Sequence, residues 1–356
     1  MSLALPVVWS DTCLLHEPGG EVWIGLPIPG DEVPERALRI REALVEEGAR
    51  LVSAEPHGDD ALREVHDAGL LDFLRTAWQR WEEAGYPDAY GQSRVVSYIT
   101  PHPGFVGELD PLVPTSPAAR TGLYAFDTMT PIGRRTWEAA CAAVDCALTA
   151  CDLLLAGAPL AYACTRPPGH HVTRTAYGGS CYLNNAAVAA QYLCNAGRAR
   201  VAIVDVDAHH GNGAQSIFRN REDVLTASVH VDPEAGWFPH FLGTAHESGG
   251  ANLNVPLAPH TGDDEWLAGV ERLADAARAF DAAAIVVALG VDAAAVDPES
   301  PLDVTADGFR EAGRLLGGLG LPTVVVQEGG YDLAAIGGLV RAALEGLEEG
   351  AEETRA

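Results

Sequence analysis

The chain has 356 residues, 47% of them hydrophobic, and its 50 acidic residues outnumber its 23 basic ones, which gives a formal charge of −27. All 23 basic residues are arginine, which excludes chemistry that needs a lysine amine: Schiff bases, pyridoxal-phosphate anchoring and phosphate loops. The negative charge repels nucleic acid and concentrates cations, so we expect a cationic small molecule or a lysine-rich ligand and no nucleic acid partner.

Short β-branched segments alternate with alanine-rich amphipathic segments along the chain. Strands are predicted at Pro6–Ser10, Leu160–Thr165, Val201–Asp207, Val224–His230, Ala284–Asp292 and Pro322–Glu328. Helices are predicted at Pro34–Glu47, Asp60–Ala84, Arg135–Ala156, Asn184–Ala196, Asp263–Ala279, Ala306–Leu315 and Leu333–Glu348. Near-continuous apolar strands are typical of a parallel sheet with helices on both faces, and they predict the α/β fold class.

A single domain is predicted at residues 1–348, because the sequence shows no internal repeat and no low-complexity linker. Residues 87–133 are an irregular segment rich in Pro, Gly, Ser and Thr. Long loops of this kind inside a compact domain are usually functional or disordered. Residues 349–356 are predicted to be a flexible tail.

The seven cysteines are an odd number, and none of them forms a Cys-x-x-Cys pair. They indicate buried free thiols in a reducing compartment, neither a disulfide framework nor a thiolate zinc site. The first residues lack the basic region of a signal peptide, and no apolar run reaches the length of a membrane span. We therefore expect a cytoplasmic protein without a membrane segment.

Three polar side chains end the strand predicted at Val201–Asp207. Alternate residues of a strand face the same way, so Asp205, Asp207 and His209 project together beyond the carboxyl edge of the sheet, where open α/β sheets bind ligands. Asp292 ends another predicted strand and supplies a third metal ligand beside Asp207 and His209. This set suits Zn²⁺, Mn²⁺ or Fe²⁺, and three protein ligands leave the open position of a catalytic site. The alternative, an aspartate that caps the next helix beside unrelated histidines, leaves charged groups at a strand end without partners.

Two further segments end predicted strands. His170 and His171 follow a rigid Pro-Pro-Gly sequence, and a general base with an electrostatic partner is the function that they indicate. Tyr331 follows a Gly-Gly pair, and its hydroxyl, which stays protonated near neutral pH, is suited to donate to a developing oxyanion.

The motifs RPPGHH, DVDAHHGNG, LGVDAAAVDP and EGGYD occur together and in this order. By these motifs the chain resembles the zinc-dependent histone deacetylase and acetylpolyamine amidohydrolase superfamily. The segments YLNNAAVAAQYL, HHGNGAQSIF and FPHFLG are most similar to its bacterial acetylpolyamine amidohydrolase branch. The resemblance covers nearly the whole chain and implies an open α/β domain with an eight-stranded parallel sheet. It also implies one Zn²⁺ per chain, a structural K⁺ and a homodimer.

The resemblance implies a role for each matching residue. His170 would be the general base, His171 would return a proton to the leaving amine, and Tyr331 would stabilise the tetrahedral oxyanion. The three zinc ligands would be Asp207, His209 and Asp292.

Further residues would support this machinery. Asp205 would hold His170 and, together with the hydroxyl of Ser228, contribute to the potassium site. Asn212 stands where the family has a carboxylate beside the second histidine, and an amide makes His171 less basic.

The acetyl tunnel is where this sequence departs from the family. Of the two aromatic walls, the one expected after Gly179 is replaced by Ser180, while Trp237 or Phe238 supplies the other. A missing wall predicts tolerance of acyl groups bulkier than acetyl. Asp127 aligns with an acidic residue that can face a cationic substrate. The loop at residues 87–133 would close the entrance and build the dimer.

The predicted function is a zinc amidohydrolase that removes an acetyl or similar acyl group from a small cationic amine such as an acetylpolyamine. Acetyl-lysine in proteins and acylated secondary metabolites would use the same machinery and stay open as substrates. An arginase-like binuclear hydrolase is disfavoured, because Gly211 and Ala294 stand where a second metal needs carboxylates. A non-catalytic acyl-binding protein would commonly lack a ligand, a histidine or the tyrosine, all of which are present.

Overall fold

A parallel sheet forms the centre of the molecule. The computed structural model describes residues 3–355, and the strands in that range are β1 (Pro6–Trp9), β2 (Glu21–Trp23), β3 (Leu26–Ile28), β4 (Arg50–Ser53), β5 (Leu160–Ala163), β6 (Val201–Asp205), β7 (Val224–Val231), β8 (Asn252–Leu257), β9 (Ala284–Leu289) and β10 (Thr323–Gln327). The strands β2 and β3 pair as an antiparallel hairpin. The other eight form one parallel sheet in the order β4-β1-β5-β10-β9-β6-β7-β8. The predicted α/β fold with an eight-stranded parallel sheet is confirmed.

Helices cover both faces of this sheet. They are α1 (Pro34–Glu46), α2 (Asp60–Val65), α3 (Ala68–Glu83), α4 (Tyr86–Tyr90), α5 (Pro103–Val106), α6 (Pro117–Thr121), α7 (Thr136–Leu155), α8 (Asn185–Asn195), α9 (Asn212–Phe218), α10 (Asp263–Ala279), α11 (Ala306–Gly317) and α12 (Ile336–Arg355). Successive strand residues enter opposite cores: Val324 belongs to the core that also contains residues of α3, α7 and α8, and Val325 belongs to the core that contains residues of α1, α10, α11 and α12. Both faces are therefore apolar. Between residues 3 and 355, no helix combines the length and the hydropathy that a membrane crossing requires.

Two strands of the sheet, β4 and β8, were not predicted, and they lie at its two edges. Both are partly exposed and carry polar residues, as RLVS and NLNVPL, so they lack the apolar runs of the central strands. The helix predicted at Asp60–Ala84 is two helices. The Asp67 side chain accepts a hydrogen bond from the Gly69 amide and so begins α3 as a new helix.

The prediction of a flexible tail at residues 349–356 is wrong for residues 349–355, which continue α12. This part of the helix packs against α11: Ala351 is buried, and a Cβ at Gly350 would lie 2.1 Å from the Arg314 carbonyl oxygen. The Arg314 guanidinium also pairs with Glu353 at 3.2 Å. Residues 1 and 2 of the predicted domain and residue 356 of the predicted tail lie outside the described residues.

The four strands that precede the polar motifs are neighbours in the middle of the sheet, in the order β5-β10-β9-β6. Their carboxyl ends therefore meet at one edge, which is where open α/β sheets place ligands. This strand order brings together segments that are far apart in the sequence.

Candidate active site

The three residues predicted as metal ligands lie together beyond the ends of β6 and β9. One ligand atom from each of Asp207, His209 and Asp292 lies within 4.8 Å of the others, and all three residues are buried. The His209 Nδ1 atom is 3.0 Å from Asp292 Oδ2 and 3.3 Å from Asp207 Oδ1.

Backbone amides orient the two carboxylates of this triad. The Ala208 amide donates to Asp292 Oδ1 at 2.9 Å, and the Gly329 amide donates to Asp207 Oδ2 at 2.9 Å. Burial and the neighbouring Asp207 carboxylate raise the pKa of Asp292, so two negative charges held this close are unfavourable without a cation. Two hard carboxylates and one imidazole are donors that bind Zn²⁺. The donor set therefore fits a divalent transition metal ion.

His170 lies beside the triad and is held by Asp205. Its Nδ1–H donates to Asp205 Oδ2 at 2.9 Å, and its Nε2 lies 3.8 Å from Asp207 Oδ1. Burial lowers the pKa of His170, but the Asp207 and Asp205 carboxylates outweigh it and raise the pKa to about 10. A cation bound by Asp207 would cancel part of this effect and bring the pKa back toward the range of a general base.

His171 stands 4.0 Å from His170 between the ring centroids and has the opposite environment. Its Nδ1–H donates to Asn212 Oδ1 at 2.6 Å. Burial lowers the pKa of His171, and the positive charges of His170 and His209 lower it further. The amide of Asn212 has no charge to oppose this. Without a cation these environments favour a protonated His170 and a neutral His171, so a cation held by Asp207 is needed to lower the pKa of His170 for the role of general base.

The loop that carries the histidines is anchored by Glu328 at the end of β10. Its Oε2 atom accepts from the Gly169 amide at 2.6 Å and from the His170 amide at 3.1 Å. The residue is fully buried, and burial raises the pKa of its carboxyl to about 7. The sequence analysis did not assign Glu328 a role, although it is the first letter of the EGGYD motif.

Tyr331 is positioned by two residues that the sequence analysis missed. The Asp297 Oδ2 atom accepts from the Tyr331 amide at 2.6 Å. The Arg36 guanidinium lies 4.5 Å from the centre of the Tyr331 ring and donates to the Glu328 carbonyl oxygen at 2.7 Å. Burial and the Glu299 carboxylate raise the pKa of the Tyr331 hydroxyl, so it stays protonated at neutral pH and can donate. Asp297 follows Asp292 in the AAAVDP motif, whereas no motif around Arg36 indicates that it belongs to the site.

Ser228 on β7 is in register with Asp205 on β6, as the predicted potassium site requires. The His230 Nε2–H donates to the Gly243 carbonyl oxygen at 2.8 Å, and burial lowers the pKa of His230 to about 4. His230 is therefore neutral, and its Nδ1 accepts from the Ser228 hydroxyl at 2.8 Å. The Ser228 oxygen keeps its lone pairs for a cation.

Of the two aromatic residues predicted as alternatives for the tunnel, Phe238 lies beside the catalytic histidines. The Phe238 ring is 4.7 Å from the His171 ring, whereas Trp237 is partly buried against the apolar core. The structure therefore favours Phe238, and a tunnel role for Trp237 stays a prediction. Gly179 lies between the rings of His171 and Phe238: a Cβ at this position would be 2.4 Å from the His171 ring and 2.9 Å from the Phe238 ring. Ser180 follows it with a φ of 59°.

The Asp127 carboxylate binds the protein chain itself. Its Oδ1 atom accepts from the Met129 and Thr130 amides, each at 3.0 Å. Its Oδ2 atom accepts from the Gly179 amide at 2.6 Å and from the Thr130 hydroxyl at 3.1 Å. These contacts contradict the predicted role of facing a cationic substrate, because they use both oxygens. Asp127 positions the backbone at Gly179 instead.

Glu299 is an acidic residue near the triad that the sequence analysis missed. In the described range, residues 3–355, its carboxylate takes part in no hydrogen bond or ion pair, and it is half-buried. Burial raises the pKa of Glu299 to about 8, and the Glu21, Asp292 and Asp31 carboxylates add to this against His209. Glu299 is therefore close enough to the triad to interact electrostatically with Asp292 and His209, and its raised pKa keeps the carboxyl largely protonated at neutral pH. In the sequence, Glu299 is a single acidic residue in the segment VDPES, and no pattern around it indicates a place at the site.

Comparison with known proteins agrees with this site. The histone deacetylase domain family matches residues 31–347. The acetylpolyamine amidohydrolase of Mycoplana ramosa is 41% identical over 350 residues, which are 96% of this chain and 99% of that protein. Acetylpolyamine amidohydrolase 1 of Pseudomonas aeruginosa is 39% identical over 347 residues, 96% and 98% of the two chains. A crystal structure of an acetylpolyamine aminohydrolase from Burkholderia pseudomallei matches with a TM-score of 0.90 and 37% identity, covering 98% of this chain and 99% of that one. The chain thus belongs to the histone deacetylase family and is a hydrolytic deacetylase.

Proposed function

We propose that this enzyme hydrolyses the acetyl–nitrogen bond of small cationic N-acetylamines of the acetylpolyamine class, with one Zn²⁺ per chain. The observation that carries the proposal is the buried triad of Asp207, His209 and Asp292, flanked by the pair of His170 and Asp205. The relatives that match almost end to end are named acetylpolyamine amidohydrolases, which supports this substrate class.

The chain's own residues divide the reaction between them. When bound by the triad, zinc supplies a Lewis acid for the acyl carbonyl and for water. His170, held at Nδ1 by Asp205, takes the proton of the attacking water at Nε2. Tyr331 donates its hydroxyl proton in a hydrogen bond to the oxyanion. The proton that His170 has taken is then delivered to the leaving amine nitrogen through the Nε2 atom of His171, whose Nδ1–H is held by Asn212.

We expect one tightly bound divalent ion per chain, because Gly211 and Ala294 offer no carboxylate for a second metal. Elemental analysis after dialysis against a weak chelator measures this. His57→Gln is the matched control, since it removes a different histidine that lies 2.8 Å from a carboxylate, that of Asp152. The control should keep one ion. Two retained transition metal ions per wild-type chain would contradict the mononuclear site.

Glu299 is the residue proposed to favour cationic substrates. We expect kcat/KM for N-acetylputrescine to exceed that for neutral N-butylacetamide and to fall as salt rises, because exposed charges are screened beyond about 10 Å at 0.1 M. At about pH 9, where the Glu299 carboxyl with its pKa of about 8 is ionised, Glu299→Gln should lower kcat/KM for the cation by about 5- to 30-fold, the effect of one partly buried charge pair, and spare the neutral amide.

The control is Glu271→Gln, which removes an exposed carboxylate from α10 and should leave kcat/KM unchanged for both substrates. An equal response of the cationic and the neutral substrate to Glu299→Gln would refute the charge preference. An acetyl-lysine peptide that reacts faster than N-acetylputrescine would refute the proposed substrate class.

Three further properties are proposed with this function. A structural K⁺ beside Asp205 is supported by the free lone pairs of Ser228. A homodimer built by the loop at residues 87–133 is supported by its exposed apolar residues, Phe105, Leu109 and Leu112. A cytoplasmic location is supported by the seven cysteines, which are all unpaired and all buried or half-buried.

A further inference from the structure

An exposed aromatic ring faces the catalytic site from the end of the irregular loop. Phe126 is 40% exposed, and its ring lies 6.3 Å from the Phe238 ring between centroids, with 24° between the planes. Phe238 in turn contacts the ring of His171 edge-on. The three rings form a continuous aromatic surface that leads from the mouth of the site to the catalytic histidine pair.

The backbone holds Phe126 in this place. The Phe126 amide donates to the Tyr177 carbonyl oxygen at 3.1 Å, and the Tyr177 amide donates to the Tyr124 carbonyl oxygen at 2.8 Å. The Gly179 amide donates to the Asp127 carboxylate at 2.6 Å. These hydrogen bonds join the segments 124–127 and 177–179, so the backbone at Phe126 is held in place without a bound substrate.

The glycine beneath the ring gives independent evidence of close packing. A Cβ at Gly178 would lie between 2.2 and 2.6 Å from three atoms of the Phe126 ring. Gly178 does not have the positive φ that by itself favours glycine, whereas Gly179 has a φ of 62°. Glycine is thus required at 178 by the Phe126 ring and not by the backbone conformation.

We propose that Phe126 is an aromatic wall of the substrate tunnel, opposite Phe238, and that it takes the place of the ring that Ser180 lacks. The inference rests on the proposed function and deepens it by naming a residue that selects the chain of the amine. It reverses the expectation that Ser180 leaves the tunnel wide.

The distance between the two rings determines which alkyl chains the tunnel accepts. A methylene chain in contact with two facing rings needs at least about 7 Å between them, since carbon atoms pack at about 3.5–4.0 Å. The ring centroids stand 6.3 Å apart, which is less than this, so a chain enters only if the more exposed Phe126 ring shifts outward. An unbranched chain needs the smallest shift, and the wall therefore favours it over a branched chain.

Binding of metal-chelating hydroxamic acids to the zinc-loaded enzyme tests the wall without depending on the substrate class. We expect Phe126→Ala to raise the Kd of octanohydroxamic acid by about 5- to 30-fold, as befits loss of the apolar contact of one phenyl ring, and to leave that of acetohydroxamic acid unchanged. Phe126→Tyr should restore long-chain binding. Phe280→Ala removes a partly buried phenylalanine from the end of α10, where it lies under the Arg200 guanidinium, and should have no effect on either Kd.

Kinetics give the second measurement. In Phe126→Ala, KM for N-acetylputrescine should rise by about the same factor while kcat stays within about twofold, because the wall binds the alkyl chain and does not touch the reacting atoms. The proposal that Phe126 is a tunnel wall would be overturned by an unchanged Kd for octanohydroxamic acid, by an equal rise of the Kd for acetohydroxamic acid, or by an equal effect of Phe280→Ala. A wild-type enzyme that binds the hydroxamates as expected but does not hydrolyse N-acetylputrescine would instead overturn the proposed substrate and leave the wall standing.

Discussion

Gly329→Ala is expected to abolish metal binding and to lower kcat/KM by about 10³-fold or more, because several kcal/mol of transition-state stabilisation depend on the metal. A Cβ at this position would lie 2.3 Å from Asp292 Oδ2 and 2.6 Å from Asp207 Oδ2. One added methyl group therefore pushes both carboxylate ligands away from His209, although no ligand is itself substituted.

Metal content and thermal unfolding of the purified variant measure this effect. Gly338→Ala is the matched control, because this exposed glycine near the start of α12 has no atom within 4 Å of its added Cβ. The control should bind one metal ion and unfold at the wild-type temperature or slightly above it, since alanine favours a helix over glycine by up to about 1 kcal/mol. Retention of one metal ion per chain by Gly329→Ala would show that the ligands tolerate the displacement.

Tyr331→Phe is expected to lower kcat by about 10²- to 10³-fold, the usual effect of removing one oxyanion donor, with KM and metal content nearly unchanged. The phenylalanine ring keeps the stacking contact with Arg36 and the amide bond to Asp297, so the loop stays in place. Only the hydroxyl is lost. The raised pKa of Tyr331 means that this hydroxyl is protonated throughout the neutral range.

Steady-state kinetics with the best substrate measure the effect of Tyr331→Phe, and Tyr192→Phe is the control. The Tyr192 hydroxyl donates to Asp152 at 2.7 Å on the far side of α8, away from the triad, so its loss should leave kcat unchanged. A Tyr331→Phe enzyme that turns over at the wild-type rate would assign oxyanion stabilisation to another group.

The polar residues at the strand ends were predictable because their signal is local. An apolar run followed directly by Asp, His or Gly-Gly-Tyr marks the carboxyl end of a buried strand, and parallel strands end at one edge. Asp207, His209, Asp292 and His170 were all found in this way. The same local signal is absent at the sheet edges, so the polar strands β4 and β8 were missed.

Predictions that depended on where a side chain points were less successful. Asp127 was expected to face the substrate, but four donors of its own chain occupy its carboxylate. Trp237 and Phe238 are adjacent in the sequence, and only the structure shows that Phe238 is the one beside His171. The tail is helical because α11 covers it, which its polar composition does not indicate.

By itself, the sequence determined the fold class, and it predicted the residues that we propose as metal ligands and catalytic groups, because each of these signals lies within a few consecutive residues. Only the tertiary structure decided how these groups are supported. The Arg36 side chain contacts Gly330 although 294 positions separate the two residues, and the Phe126 ring stacks on Phe238 from a distant loop. Glu299 comes close enough to the triad to interact electrostatically with Asp292. These contacts depend on the order of the strands in the sheet and on the packing of the loops. Both are set by the free energy of the whole folded chain, so no short segment of the sequence encodes them.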